Sequence, residues 1–485
     1  MNNLKSKFLY QLSTSFLYAI APLLVFPYIS RILGPENIGK INFIDFTAQF
    51  LLLFASFGIP LYGVREAAKL RNNKEGLNKL VTELFCIHLV ATFVSLGIFA
   101  TIIAINNNIY YETELIVLAG INLLISAFSF EWFIHGLEDF AFLSKRSFVI
   151  KIISVVVIFL LIKTTWDYVP YYFILIVGNA LILLADVFYI FRQKIYFVKK
   201  INPVRHVKAL LLFFLTSTAI SLYTFFDTIM LGIISGSLAV GFYTTGLKVV
   251  KLSQTFVNDL GGVLLPRMAF LIETKDRFEI NRIINKSLQY ALSVSIPLSI
   301  FFFLLAPEII TVLASRQFAP SIDVLRILCV LPLIVGLSNV FGIQVLLPFG
   351  KEKKVLIAVI AGCVLSLSLN YILCPVYAQK GAAISCIVAE IFVTFLMFLY
   401  AVKLVTFNIS VKLILGIIFS SLIFIPIVYL SRNFSDSILV VFLTSSFFCL
   451  GAYILMQVFI FSNSLIKEVI NFLSINILNK TFFKI

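Results

Sequence analysis

A chain of 485 residues that is 61% hydrophobic and only 13% charged, with a mean hydropathy of +1.05, is no ordinary soluble domain, which keeps about a quarter of its residues charged. It reads as an integral membrane protein. The net charge of +15 invites a nucleic-acid partner, but the lysines and arginines sit between apolar segments and read instead as a topology signal facing membrane lipid.

Fourteen apolar spans follow one another: 9–30, 41–63, 80–105, 113–134, 147–163, 169–191, 209–234, 241–266, 285–305, 326–349, 354–377, 381–404, 411–430 and 437–461. At ~1.5 Å per residue each is about long enough to cross a ~30 Å hydrocarbon core, the fifth being the shortest. Loops are short and no soluble domain is inserted, so the predicted fold is an all-α polytopic membrane protein. The six cysteines fall inside spans without a CxxC pair, which argues against metal or redox use.

Lysine and arginine set the orientation. With the N-terminus in the cytosol, inner segments and their flanks hold 28 of these residues and the outer ones 7, while Lys151, Lys248 and Lys251 lie within spans. Both termini are therefore expected in the cytosol.

The first hairpin turns at Leu33-Gly34-Pro35, a helix stop in which Gly takes the left-handed conformation and Pro prevents continuation. Gly39 then lets the next helix start close to its neighbour. A repeat of this hairpin occurs in spans seven and eight: Leu33-Gly34 matches Leu231-Gly232, and Gly39 matches Gly241 with four residues inserted. Both hairpins run inside to outside to inside, so the repeat is parallel, an arrangement that builds transporters with a substrate site between the halves. The expected organisation is an N-lobe (1–191, spans one to six), a basic cytoplasmic linker (192–208), a C-lobe (209–404, spans seven to twelve), and two further helices with a cytoplasmic tail (405–485).

Several strings carry a family resemblance. Pro27, Arg31, Leu33, Gly34, Pro35 and Gly39 form the first; Trp132-x-x-x-Gly136-Leu137-Glu138 ends the fourth span; Asp227-x-x-x-Leu231-Gly232 with Gly241-Phe242-Tyr243 opens the second half. Pro307-Glu308-Ile309-Ile310 and Gly381-Ala382-Ala383 follow. Together they span roughly residues 20–400, and the chain resembles the polysaccharide transporters of the multidrug/oligosaccharidyl-lipid/polysaccharide superfamily, which include O-antigen and capsule repeat-unit flippases. The resemblance implies two six-helix lobes around a central cavity and a bacterial inner-membrane location. It also implies an undecaprenyl-diphosphate-linked oligosaccharide as substrate, a proton or sodium counter-ion, and contacts with polymerase and other polysaccharide-assembly proteins. No cofactor is implied.

Ionisable residues inside spans are the informative set, because each costs about 2.5–3.5 kcal/mol at a helix centre unless it meets a cavity or partner. They are Asp45, Glu83, Lys151, Asp186, Asp227, Lys248, Lys251, Asp259 and Glu390. Lys248 and Lys251 are three apart and share a helix face, Lys248 lying roughly 10 Å deep. Asp227 is at similar depth on the antiparallel neighbour, and Asp45 is shallower. Arg31 ends the first span at the outer mouth. One reading makes Arg31, Lys248 and Lys251 a cationic site for the diphosphate, with Asp45 and Asp227 coupling an ion or balancing charge. The other has Asp227 and Lys248 merely stabilise the hairpin while Arg31 snorkels to the outer headgroups. Glu83, Lys151, Asp186 and Asp259 sit nearer inner ends and read as structural.

Catalysis is not indicated. His88, His135 and His206 lack a neighbouring Ser or Cys nucleophile with an orienting acid, and no phosphate-binding loop is present. A multidrug cation antiporter of the same superfamily should have an acidic cavity, against which Lys248 and Lys251 argue. A lipid II flippase fits fourteen spans with the last two added. A membrane polymerase or ligase would need a sizeable outer loop with catalytic Arg or His, and no outer loop exceeds about twenty residues.

Overall fold

Inside a bilayer every backbone N–H and C=O must be satisfied within the segment, and runs this apolar can do so only as helices. The computed structural model describes residues 2–105, 113–273, 277–408 and 410–461, and no strand occurs among them. In chain order the helices are α1 (Asn2–Ser56), α2 (Ile59–Lys69), α3 (Lys74–Ile105), α4 (Thr113–Ala127), α5 (Glu131–Gly136), α6 (Phe140–Leu161), α7 (Tyr168–Arg192) and α8 (Val204–Glu273). They continue as α9 (Arg277–Leu304), α10 (Ala306–Ala314), α11 (Ser321–Leu328), α12 (Leu331–Asn339), α13 (Glu352–Ala401), α14 (Val411–Leu422), α15 (Phe424–Phe434) and α16 (Ile438–Leu455). The expected cytoplasmic tail, the outer loop around Asn107 and the side chain of Asp259 lie outside the described residues.

Nine stretches among the described residues are long and apolar enough to cross a membrane. Three of them, Leu24–Lys69, Phe225–Gln254 and Glu352–Ala401, overlap α1, α8 and α13, broken rods each long enough as a whole for two passes, and α4 and α6 bring the helical passes among the described residues to fourteen. The breaks are backbone events: Gly34 (φ 75°, ψ 173°) in α1, Gly236 (φ 83°, ψ 175°) in α8 and Ala378 (φ 45°, ψ −123°) in α13. Each coincides with an outer turn expected from the charge pattern.

The second break corrects the repeat. Gly232 is not the counterpart of Gly34: it lies within the helix, where an added Cβ would stand 2.1 Å from the Phe43 ring. Gly236 has nearly the same φ and ψ as Gly34, and the pairs Gly34/Gly236 and Gly39/Gly241 have equal separations. The repeat therefore aligns without an insertion. Its glycines differ in purpose, one for packing and the other for a positive φ, and only the conformation tells them apart.

The fifth pass also differs from expectation. α6 begins at Phe140 and runs 22 residues, so Lys145, Arg146 and Lys151 ride inside the helix. Arg146 can be there because Asp186 of α7 pairs with it, both side chains being at most 2% exposed.

The chain packs as two compact units, Met1–Gly241 and Phe242–Ile485. In the first, α1 lies against α3, α4 and α6, and α2 against α5. The α2–α5 contact explains the Trp132-x-x-x-Gly136 string: a Cβ on Gly63 would meet the Trp132 ring at 2.4 Å, and one on Gly136 would meet Ala67 at 2.5 Å. Around it an apolar core gathers Ile59, Tyr62, Leu80, Leu84, Phe133 and Leu210. In the second unit α9 packs on α12 and α14, and α13 on α12. Glu308 of α10 receives two hydrogen bonds from Arg432 of α15, at 2.7 and 3.0 Å.

Candidate functional site

The two repeat-related turns of the first unit, after Gly34 and after Gly236, meet each other. A Cβ on Gly39 would lie 1.8 Å from the Ser237 carbonyl oxygen, and one on Gly241 would lie 2.0 Å from the Pro35 carbonyl oxygen. Pro35 and Ser237 are themselves repeat-equivalent, so the contact is reciprocal. Only glycine permits this backbone approach.

Just below the turn, Asp45 is half-buried on the second arm of α1. It accepts hydrogen bonds from Gln49 Nε2 at 2.6 Å and from the Tyr172 hydroxyl at 3.1 Å. The same arm is held to the loop before α7 by Asn37, which donates to the Thr165 carbonyl at 2.8 Å, while Lys40 sits 5.5 Å from the Tyr168 ring centroid. The first arm is anchored by the Tyr28 hydroxyl on the Ile162 carbonyl at 2.7 Å. Arg31 is exposed beyond this anchor and donates to the Pro27 carbonyl at 3.1 Å. Asp227 is buried at 1% exposure in the seventh pass. Arg31, Asp45 and Asp227 thus share the first unit. Lys248, half-buried, and Lys251, exposed, belong to the second.

A polar network that the sequence did not reveal closes the lysine- and arginine-rich end of the first unit. Glu83 of α3, 2% exposed, accepts from the Asn202 backbone N–H at 2.7 Å, from Arg205 Nη2 at 2.5 Å and Nε at 3.1 Å, and approaches His206 Nε2 at 2.8 Å. The other ring nitrogen of His206 is 2.5 Å from the Tyr62 hydroxyl. The linker is laced on further by Tyr196 N–H to Asn78 and Val198 N–H to Thr82, each at 3.1 Å. His206, at the start of α8, thus has an acid partner in Glu83 and a hydroxyl partner in Tyr62 that the sequence did not show. An acid one turn inside the third span was the available signal; that residues of the 192–208 linker meet it was not legible. Asp186, with Arg146, is structural as expected, and Glu390 is buried in α13.

Among the described residues, fourteen helical passes, positive-φ breaks at hairpin turns and a hairpin repeated about the crossing of Gly39 and Gly241 define a multi-pass membrane protein with the architecture of a repeat-built transporter. Residues 4–271 match the family described as polysaccharide biosynthesis protein, and residues 213–372 match the MatE family. The chain belongs to the polysaccharide biosynthesis protein family. A candidate O-antigen transporter of Escherichia coli (strain K12) is 27% identical over 389 residues, covering 79% of this chain and 92% of that one. The capsular polysaccharide biosynthesis protein CapF of Staphylococcus aureus is 20% identical over 82% of this chain and 98% of its own. Among solved structures, the lipid II flippase MurJ in an inward closed conformation superposes with a TM-score of 0.73 at 18% identity, covering 94% of this chain and all of that one. An inward-facing multidrug resistance MATE family transporter of the MOP superfamily gives 0.61 at 14% identity, over 79% of this chain and 97% of that one.

Proposed function

We propose that the protein is a flippase that carries an undecaprenyl-diphosphate-linked oligosaccharide repeat unit across the bacterial inner membrane by alternating access, with both termini in the cytosol. The observation that carries this reading is the family match over residues 4–271, joined to span-embedded cations that suit an anionic headgroup. The relatives named for O-antigen transport and capsule biosynthesis support the substrate class. In this reading 1–191 and 209–404 are the rocking lobes, 192–208 joins them, and 405–485 is peripheral. Lys248 and Lys251 hold the diphosphate as point charges, and Arg31 receives it at the outer mouth as a fork. Asp45 and Asp227 balance these cations or bind the coupling ion. The reciprocal glycine crossing supplies an outer pivot where two helices can rock without side chains between them.

The shape shared with MurJ favours lipid II as a second substrate candidate, since it presents the same diphosphate. Proteoliposomes containing the full-length protein separate the two. Fluorescent undecaprenyl-diphosphate oligosaccharide should lose inner-leaflet protection from a glycan-modifying enzyme faster than lipid II does. Lys248→Met and Lys251→Met should each abolish that movement while the protein still inserts, because charge rather than volume is removed. Normal transport by both variants would place the headgroup site elsewhere, and preferential lipid II movement would transfer the assignment.

A further inference from the structure

Two cavities of the first unit share α3 and the start of α8 as walls. One, of about 410 Å³, lies at the lysine- and arginine-rich end and is lined by Lys69, Lys79, Arg205, Tyr62, His206 and Glu66 among others. The second, of about 510 Å³, is apolar but for Cys86 and Ser95 and runs along Phe57, Val90, Val94, Ile98, Pro203 and Val207. Pro203 and Val207 bracket Arg205 and His206, so the segment 203–207 borders both.

Along α3 the lining changes in one direction. Lys79 lines the first cavity and Cys86, Val90 and Val94 the second, at helical spacing on one face, with the buried Glu83 between them. From Lys79 to Val94 the helix rises roughly 22 Å at ~1.5 Å per residue, a headgroup depth plus much of an acyl chain. Val90, Val94 and Ile98 are 67%, 58% and 43% exposed, open to the surroundings of the helix, which in a bilayer are lipid chains.

We propose that this composite groove is a binding site for an anionic phospholipid of the bilayer, with the phosphate between Lys69, Lys79 and Arg205 and one acyl chain along Val90, Val94 and Ile98. The carboxylates nearby do not bar an anion. Glu83 is enclosed by Arg205, His206 and the Asn202 N–H. Glu66 and Glu75 pair with Lys69 at 2.9 Å and Lys79 at 2.8 Å, but both lysines are at least 42% exposed, and such exposed pairs exchange partners at little cost.

The test uses full-length protein in detergent, titrated with dioleoyl phosphatidylglycerol or dioleoyl phosphatidylcholine and read by native mass spectrometry. It measures lipid retention and not transport, so it stands apart from the flippase assay. Phosphatidylglycerol should be retained about tenfold more strongly, and Lys69→Gln/Lys79→Gln should remove most of that preference. Val94→Trp, which fills the groove, should weaken both lipids; Val90→Trp serves if the first variant fails to fold. Equal retention of the two lipids by the parent, or unchanged binding in the lysine or the groove variants, would overturn the proposal. So would full displacement of phosphatidylglycerol by millimolar sn-glycerol 1-phosphate, which would make this a site for free phosphate compounds.

Discussion

Gly39 and Gly241 face each other with no side chain between their backbones, each set against the carbonyl of the residue four positions before the other: Ser237 for Gly39 and Pro35 for Gly241. A single such contact would be a packing detail. Two, related by the repeat, mean that the hairpin turns were built as a matched pair.

Replacement of either glycine tests that. Gly39→Ala and Gly241→Ala each drive a Cβ into a backbone carbonyl that has no rotamer to escape through, so detergent-solubilised protein should melt well below the parent. Gly97→Ala is the control: a methyl added there would meet nothing within 4 Å, and the variant should hold or gain up to about 1 kcal/mol from helix propensity. Equal melting of all three would show that the crossing is looser than its geometry.

Arg146 and Asp186 form a buried pair between α6 and α7. Asp186→Asn strands a buried guanidinium and should cost about 3–5 kcal/mol, seen as lost expression or a large drop in melting temperature. Arg146→Met with Asp186→Asn removes both charges and should recover most of the loss. A single variant as stable as the parent would mean that Glu131, 3.4 Å from Arg146, suffices as counter-charge.

Glu83 collects the linker, so Glu83→Gln should free it. Trypsin should then cut faster after Lys199 and Lys200 in the folded protein, at a rate set by local opening rather than global unfolding. Tyr62→Phe, which loses only the outer hydrogen bond of the chain, should accelerate cleavage less. Identical digestion patterns for parent and Glu83→Gln would sever the network from linker order.

Asp167, at the start of α7, accepts the backbone N–H groups of Lys163 at 2.8 Å and Thr164 at 2.7 Å. These two donors hold its carboxyl below the ordinary carboxylate range. A depressed folded pKa contributes stability above the ordinary value of about 3.9 that is lost as pH falls through the folded one. Melting temperature should therefore drop on acidification below about pH 4 less steeply in Asp167→Asn than in the parent. Parallel acid limbs would assign that loss to other carboxylates.

Much of this was legible in the chain itself. Span number, helical class and the break at Gly34 follow from local composition, because a membrane segment must satisfy its own backbone and each segment's insertion is decided by its own residues. The pairing of Glu83 with Arg205 and His206, the early start of α6 that Asp186 permits, and the choice of Gly236 over Gly232 as the second break were decided only in three dimensions. They depend on how each helix is rotated about its axis and how far it slides against its neighbour. Hydropathy is nearly blind to both, since it sums a segment's residues without regard to which face they occupy.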